Sequence, residues 1–346
     1  MIFLPYLIIF IITITSILFL RPLAFRFGLL DIPNDRKTHH GSVPLIGGIA
    51  MFIGITCGLL ISNVLILEEN YIFLILSSFI LIIIGVIDDY RNISHKIRFF
   101  FQTIAALTII LFGEVLLKDL GSLFTNNNIY LGSFSLLFSI FAILGVLNSL
   151  NFSDGIDGMS ASLSIVTFLS VAFFAYQAKN GLALNFVLCF IVSILAFLIF
   201  NIGLGKKSKF KIFMGDAGST FLGLGIAWTL ISFSQGDQLI FSPVTALWIY
   251  SIPLVDTSSI MIRRISNRKS PFSPDREHLH HFFILYGWTD RQALSVIIVM
   301  SIAMASIGIG MEVNDFPERL MFLLFMMISF IYYFALRRAW KLINVK

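Results

Sequence analysis

Apolar runs of about twenty residues recur from one end of this chain to the other, and no other feature constrains the fold as much. A helix of that length crosses the hydrocarbon core of a bilayer, and backbone groups in lipid must find their hydrogen-bond partners within the segment. Of the 346 residues, 58% are hydrophobic and 12% are charged. The sequence therefore predicts an all-α polytopic membrane protein, with residues 1–346 forming a single transmembrane catalytic domain.

About eleven transmembrane helices can be placed in these runs, with ends uncertain by about two to four residues. They are 2–24, 45–64, 71–87, 98–116, 132–149, 160–177, 182–201, 217–234, 241–262, 292–311 and 319–339. The first run has neither a basic start nor a small-residue cleavage site, so we expect a retained span and no signal peptide. Pro271 and Pro274 argue against one continuous helix between Arg263 and Arg291.

The basic residues predict how the helices are oriented. The chain has 24 lysines and arginines, and only Lys118, Lys179 and Arg319 fall outside one set of alternating connections and the C-terminus. By the positive-inside rule this asymmetry puts the N-terminus outside and the C-terminus in the cytoplasm, with an odd number of spans. Because the basic residues are scattered among loops, the net charge of +5 indicates a lipid bilayer as partner and no nucleic acid.

Five polar stretches interrupt the apolar runs, and this topology places all of them on the cytoplasmic face. They are the loops 21–44, 88–98, 148–160, 202–217 and 263–291, which together hold all six histidines. Insertion into lipid gives no reason to collect acids, amides and imidazoles on one face. An enzyme that acts on a phosphorylated substrate at that face needs such groups, so we expect the five loops to form an active site.

Paired acids end the third run at Asp88 and Asp89. Adjacent carboxylates repel each other, and the C-terminal end of a helix is already negative. A bound divalent cation or a role in proton transfer would offset this cost. A solvated turn is the simpler alternative for the pair taken alone.

Amides and acids also follow the fifth run, at Asn148, Asn151, Asp154 and Asp157. The first three are spaced three apart, so a helical segment would place them on one face. Amide and carboxylate oxygens are hard ligands that suit magnesium shared with substrate phosphates. Helix capping could explain Asp154 or Asp157 singly, but it does not explain the whole run.

Two further clusters carry chemistry near the later runs. Asp216 and Ser219 precede the eighth run, where they could cap a helix or sit beside a phosphate at its free amides. Asp256 lies inside the ninth run, and an acid within the membrane is a functional candidate by default. The last polar stretch contains Arg276 followed by a cluster of three histidines. Three such close ligands make a weak zinc site, whereas phosphate binding or acid–base chemistry fits them better.

These clusters together resemble the motifs of the polyprenyl-phosphate N-acetylhexosamine-1-phosphate transferase family (glycosyltransferase family 4). The resemblance covers almost the whole chain and keeps the family's motif order. Its motifs are Arg36-Lys37-x-His39, Pro44-Leu-Ile-Gly-Gly48, Asp88-Asp89, Asn151-x-x-Asp154-Gly-x-Asp157-Gly, Phe213-Met-Gly-Asp216-Ala-Gly-Ser219 and Ser270-Pro-Phe-Ser-Pro-Asp-Arg276-x-His278-x-His280-His281.

The resemblance implies transfer of GlcNAc-1-phosphate from UDP-GlcNAc to undecaprenyl phosphate, giving undecaprenyl-diphosphate-GlcNAc and UMP. The implied cofactor is Mg²⁺, with Mn²⁺ as an alternative, and the implied location is the bacterial cell inner membrane with the active site on the cytoplasmic face. Such a step is the first membrane step of cell-surface polysaccharide synthesis, of the O-antigen, enterobacterial common antigen or teichoic-acid type.

Three alternatives stay open at this point. A sister transferase would use another UDP-amino sugar, such as UDP-MurNAc-pentapeptide. A transporter is more remote, because transporter sites lie near mid-bilayer whereas these polar clusters lie at helix ends. A homodimer is also open, since Gly54-x-x-x-Gly58 permits close helix packing within one chain or between two copies.

The resemblance also implies roles for individual residues. Asp216 is the leading metal ligand, with Asn151 as the second candidate. The catalytic set is Asp88 and Asp89 by the lipid phosphate, Asp154 and Asp157 by the uridine diphosphate, and His278, His280 and His281 by the diphosphate and sugar. The substrate-binding set is Lys37, His39, Asn148, Asn151, Ser219 and Arg276. Relatives often complete an Asp-Asp-x-x-Asp pattern where this chain has Asn92, so a metal site built on three such acids is not expected.

Overall fold

The computed structural model describes residues 3–32, 41–62, 64, 70–203, 210–236, 239–268, 270 and 278–343. Thirteen α-helices account for most of these residues. They are α1 (Leu4–Phe27), α2 (Gly47–Ile61), α3 (Asn70–Arg91), α4 (His95–Leu111), α5 (Ser135–Phe152), α6 (Met159–Gln177), α7 (Gly181–Asn201), α8 (Gly215–Ser232), α9 (Pro243–Ile249), α10 (Ser251–Ser266), α11 (Leu279–Leu285), α12 (Asp290–Val313) and α13 (Glu318–Ile343). A short 3-10 helix (Gly132–Phe134) precedes α5, and two short antiparallel strands, β1 (Leu30–Asp31) and β2 (Val43–Pro44), complete the described elements.

The helices confirm a polytopic all-α membrane protein. Each of the eleven predicted segments contains helix. Seven helical segments within the described ranges are long and apolar enough to cross a bilayer, or eight if the bent pair α9 and α10 forms one span. At 15 residues, α2 is a shorter apolar helix. The count of eleven spans and the orientation of the termini therefore remain predictions.

The predicted continuous helix over 241–262 is wrong, because α9 and α10 meet at an angle of 84°. The two helices join at Tyr250, which has φ −113° and ψ 21°. The break places Pro253 in the first turn of α10, where backbone N–H groups have no partner within the helix. In a continuous helix the same proline would remove a hydrogen bond and clash with the preceding turn.

Two distant motifs of the sequence meet beside β2. The backbone N–H of Phe213 donates to the carbonyl of Pro44 at 2.9 Å. In return, Gly47 and Gly48 donate to the carbonyls of Phe213 and Met214, each at 3.0 Å. These bonds fix the start of α8 to the start of α2.

Small residues then bring α3 against the same end of α8. A Cβ added to Gly48 would lie 2.3 Å from the backbone nitrogen of Gly218, and one added to Gly85 would lie 2.2 Å from the Cα of Ala217. Such close backbone contacts are characteristic of small residues at the interfaces of membrane helices. They place the N-terminus of α8 beside the acid pair near the end of α3.

We expect Gly85→Ala to destabilise the protein by about 1–3 kcal/mol, because the new methyl group would overlap backbone that cannot move without separating two helices. Thermal unfolding in detergent measures the loss. Gly145→Ala is the matched control: no atom lies within 4 Å of its added Cβ, so a small gain in helix propensity is expected. Equal melting temperatures for both variants would show that α3 and α8 are not held by this contact.

A separate apolar cluster holds the histidine-bearing helix α11. Its members come from α6, α10, α11, α12 and α13, so five helices pack together in this cluster. The buried residues are Met159, Leu163, Ile252, Leu279, Leu294, Ile297, Leu336 and Trp340. This cluster packs beside the larger core, with Ile298 in contact with both.

Candidate active site

The acid pair lies in the last turn of α3 and not in a loop, as the predicted stretch 88–98 would have it, because the helix continues to Arg91. Asn92 ends it with φ +49°, and its backbone N–H donates to the carbonyl of Asp88 at 2.8 Å. Asparagine is one of the few residues that tolerates this left-handed conformation. The position that would complete a three-acid pattern is therefore used here to end the helix.

Asp89 is held by the backbone of another helix. Its carboxylate accepts the N–H of Asp216 at 2.9 Å and that of Ala217 at 3.5 Å, both at the start of α8. These amides lack partners within their own helix, and negative charge is favourable at a helix N-terminus. Gly215 makes room for the contact: it has φ +73°, and a Cβ there would lie 2.4 Å from the Asp89 carboxylate. In this arrangement Asp89 caps α8.

Asp88 points into a small pocket. It is buried, its Oδ1 accepts the N–H of Ile93 at 2.9 Å, and its Oδ2 accepts from the Arg98 guanidinium at 2.8 Å. Arg98 also lies 3.5 Å from Asp216 Oδ2. The pocket is lined by Leu81, Ile84, Gly85, Asp88, Arg98, Gln102, Asn151, Asp216 and Thr220. A single guanidinium thus bridges two carboxylates that would otherwise repel each other.

Arg98 is a site residue that the sequence reasoning missed, because it was used only as a marker of topology. A usable signal was present. The residue lies in the first turn of α4, where a positive charge is unfavourable beside the helix dipole. A basic residue in that position suggests a nearby negative partner.

Asn151 and Ser219 lie beside Asp216. The Asn151 amide nitrogen donates to Asp216 Oδ1 at 2.7 Å and to Ser219 Oγ at 2.8 Å. This pair of bonds fixes the orientation of the Asp216 carboxylate. Asn148, one turn earlier, does not reach the group: it is buried and donates to Gln102 Oε1 at 3.0 Å, supporting the pocket from below.

The donor set fits a magnesium ion with few protein ligands. Among the residues that the structure describes, no three acids, histidines or cysteines converge into a metal cluster. The Asp88 and Asp216 carboxylates nevertheless both face the Arg98 guanidinium. Mg²⁺ commonly takes one or two carboxylates together with waters and substrate phosphates. Asn151 presents its amide nitrogen to Asp216, an assignment that rests on the hydrogen-bond network. Its role as a metal ligand stays a prediction.

The loop after α5 carries two more of the predicted acids. The helix ends at Phe152, so Asp154 lies beyond it and does not continue the face of Asn148 and Asn151. Asp154 Oδ1 accepts from the Ser160 hydroxyl at 2.5 Å. Asp157 Oδ2 lies 2.6 Å from the Lys211 ammonium.

The Asp154 carboxyl has a perturbed pKa. Desolvation by the surrounding protein raises that pKa to about 7; the nearby Asp216 and Asp157 charges add to the rise, whereas the Ser160 hydroxyl opposes it. The Asp154 side chain is nevertheless exposed, so water screens part of this effect. Near neutral pH the carboxyl therefore binds a proton more readily than a free aspartate does.

We expect Asp154→Asn to raise the melting temperature more at pH 8 than at pH 5. A folded-state pKa above the unfolded value means that the wild type loses stability as pH rises through the folded pKa, and asparagine removes that loss. Thermal unfolding of the metal-free protein at both pH values measures the difference. Asp290→Asn is the control, because it removes an exposed acid from the first turn of α12. An equal change at both pH values for Asp154→Asn would contradict the prediction.

The three histidines lie next to this loop. His278 Nδ1 is 2.8 Å from Asp256 Oδ2, and its ring contacts Phe152 with centroids 5.9 Å apart. His280 is buried against Gly155, where a Cβ would lie 2.0 Å from its Nε2. Burial lowers the pKa of His280 to about 3, and the neighbouring His281 and His278 act in the same direction. His280 is therefore neutral, and among the described residues neither of its ring nitrogens has a hydrogen-bond partner.

The structure thus brings most of the predicted residues into two adjoining groups. One group is Asp88, Asp89, Asn151, Asp216 and Ser219, and the other is Asp154, Asp157, His278, His280 and His281. Phe152, which follows Asn151 in the chain, joins them by its contact with His278. The predicted substrate-binding residues Lys37, His39 and Arg276 lie outside the described residues.

The fold and the site define a polytopic helical membrane enzyme whose acids converge at helix ends. The model of glycosyl transferase family 4 matches residues 71–234. The undecaprenyl-phosphate alpha-N-acetylglucosaminyl 1-phosphate transferase of Escherichia coli (strain K12) is 39% identical over 338 residues, which cover 96% of this chain and 90% of that protein. This chain belongs to glycosyl transferase family 4.

Two further relatives carry the same description. The protein of Haemophilus influenzae is 40% identical over 94% of this chain and 92% of its own length. The protein of Yersinia pestis is 36% identical over 96% of this chain and 91% of its own length. The similarity therefore extends well beyond the residues that the family model matches.

Proposed function

We propose that this protein transfers GlcNAc-1-phosphate from UDP-GlcNAc to undecaprenyl phosphate, releasing UMP, at the start of cell-surface polysaccharide synthesis. One observation carries the proposal: the Asp88 and Asp216 carboxylates, at the ends of two helices, lie 2.8 and 3.5 Å from the guanidinium of Arg98. The relatives of this chain are named for this reaction. Phosphoryl transfer depends mainly on positioning and charge neutralisation.

The reaction joins the lipid phosphate to the β-phosphorus of the nucleotide sugar. An oxygen of undecaprenyl phosphate attacks that phosphorus, and the bond to the oxygen bridging the α- and β-phosphorus atoms breaks, so that UMP leaves. The bond between the sugar and its phosphate stays intact. A phosphomonoester has its second pKa at about 6, so the attacking group is largely ionised and no strong general base is required.

The described residues divide this work. Arg98 neutralises charge beside the pocket. Asp88 holds Arg98 in place, and Asn151 holds Asp216. Asp89 fixes the start of α8, so that Asp216 keeps its position relative to α3. Asp88 and Asp216 would hold the Mg²⁺ ion, which would neutralise phosphate charge in the transition state. The loop with Asp154 and Asp157, together with the histidines, would then bind the uridine diphosphate and sugar.

We further infer eleven spans in the bacterial inner membrane, with the N-terminus outside and this site at the cytoplasmic face. The segregation of lysine and arginine supports the orientation. Helix in each of the eleven predicted segments supports the count. The site then opens to cytosolic UDP-GlcNAc, while the lipid substrate reaches it from the bilayer.

Purified protein assayed with undecaprenyl phosphate, Mg²⁺ and a panel of UDP-sugars tests the proposal. We expect UMP from UDP-GlcNAc, and none when either the metal or the lipid phosphate is omitted. UMP from UDP-MurNAc-pentapeptide in its place would establish the sister transferase. No UMP from any nucleotide sugar would overturn the proposed activity.

A further inference from the structure

Asp256 is the most deeply buried carboxylate in the described part of the chain and has three hydrogen-bond partners there, and the reaction outlined above does not use it directly. It lies in α10 and is 3% exposed. Its Oδ1 accepts from the Tyr332 hydroxyl at 2.7 Å and from the Leu279 backbone N–H at 3.1 Å, while Oδ2 faces His278 Nδ1 at 2.8 Å. The three partners lie on α13 and at the start of α11.

This geometry determines which nitrogen of His278 carries a proton. Two donors already point at Asp256, so its carboxylate acts as an acceptor. The ring atom facing Oδ2 must then be an N–H donor, which assigns the proton to Nδ1. With that proton on Nδ1, a ring that carries a single proton has its lone pair on Nε2. Among the described residues, both ring nitrogens of His280 are buried without a hydrogen-bond partner, whereas Nε2 of His278 is not among such atoms.

The position of the His278 ring connects this network to the site. The ring contacts Phe152 at 5.9 Å and stacks with His280 at 5.8 Å, with the planes 9° apart. Phe152 follows Asn151, which orients Asp216. A rotation of His278 about its side chain would therefore change the surface that the histidine cluster offers beside the acid group.

We propose that Asp256 and Tyr332 are positioning residues that hold His278 in the Nδ1–H tautomer, leaving Nε2 to contact the diphosphate of the nucleotide sugar. The backbone bond to Leu279 fixes the start of α11, and the side-chain bonds fix the ring. The last clause rests on the proposed function, whereas the tautomer does not. The buried aspartate of a Ser-His-Asp triad acts in the same way: it holds the histidine in one tautomer and orientation.

The test compares Asp256→Asn and Tyr332→Phe with Thr257→Val. Thr257 is the neighbouring buried residue of α10, and its hydroxyl has no partner among the described residues, so its variant controls for a lost polar atom in this helix. Histidine ¹⁵N spectra of the detergent-solubilised protein, assigned with His278→Gln, report which ring nitrogen carries the proton. We expect a protonated Nδ1 in the wild type and Thr257→Val, and a mixture of tautomers in Asp256→Asn.

Activity gives the second measurement. We expect kcat/KM for UDP-GlcNAc to fall about 10²-fold in Asp256→Asn, the scale seen when residues that orient a functional histidine are removed. In Tyr332→Phe, which keeps the carboxylate, the loss should be smaller. A protonated Nε2 in the wild type would overturn the proposal, as would unchanged tautomers and kinetics in a folded Asp256→Asn or, if that variant does not fold, in Tyr332→Phe. Absence of UMP from the wild type with a protonated Nδ1 would instead count against the proposed function alone.

Discussion

Asp216→Asn is expected to lower turnover by about 10³-fold, the largest effect we predict for a single substitution at this site. The Asp216 carboxylate accepts a hydrogen bond from the Asn151 amide and faces the Arg98 guanidinium. It is therefore the acid that both of these side chains contact. A neutral amide of the same shape keeps the packing and loses the charge that would hold a divalent cation. UMP release with UDP-GlcNAc and undecaprenyl phosphate measures the loss, and Mg²⁺ titration measures the affinity.

Asp290→Asn is the matched control, because it removes an exposed acid from the first turn of α12 without touching the pocket. Thermal unfolding shows whether each variant is folded. Turnover of a folded Asp216→Asn within a few-fold of the wild type would remove Asp216 from the metal site.

Arg98→Gln is expected to lower kcat/KM about 10²-fold, because the pocket loses the positive charge that lies between Asp88 and Asp216. The same change should reduce the Mg²⁺ concentration needed for half-maximal rate. Arg98 and the metal would compete for the Asp88 and Asp216 carboxylates, so removing the guanidinium leaves both to the metal. Initial rates over a range of Mg²⁺ concentrations measure both effects.

Two variants sharpen the interpretation of Arg98. Arg98→Lys keeps the charge and loses the planar fork, so an intermediate rate is expected. Arg91→Gln removes an exposed basic residue from the last turn of α3 and controls for the change in overall charge. If the Mg²⁺ requirement of Arg98→Gln equals that of the wild type, Arg98 and the metal do not share these carboxylates.

The acid pair illustrates how far motif recognition reaches. The sequence identified Asp88 and Asp89 as a pair, and the resemblance implied a position by the lipid phosphate for both. In the structure they diverge: Asp88 meets Arg98, and Asp89 caps the start of α8. Adjacent residues on a helix point about 100° apart, so each was bound to find different neighbours. Which neighbours these are depends on how α4 and α8 pack.

The bend between α9 and α10 shows the opposite limit. Hydropathy predicts an apolar segment over 241–262, and both helices do lie there. Periodicity cannot distinguish one span from two helices at 84°, because each half is apolar. Pro253 was the available signal, since it is accommodated best in a first turn.

The sequence by itself determined the class of protein, because a bilayer allows few structures and each apolar run must satisfy its own backbone. It also identified the acids, amides and histidines of the site, since their chemistry is unexpected at so many helix ends of a membrane protein. Only the tertiary structure decided the pairings: Arg98 between two carboxylates, Asn151 on Asp216, and Asp256 on His278. These contacts join residues that are distant in sequence. They depend on where close-packed backbones, such as that of Gly85 against Ala217, bring the helix ends together.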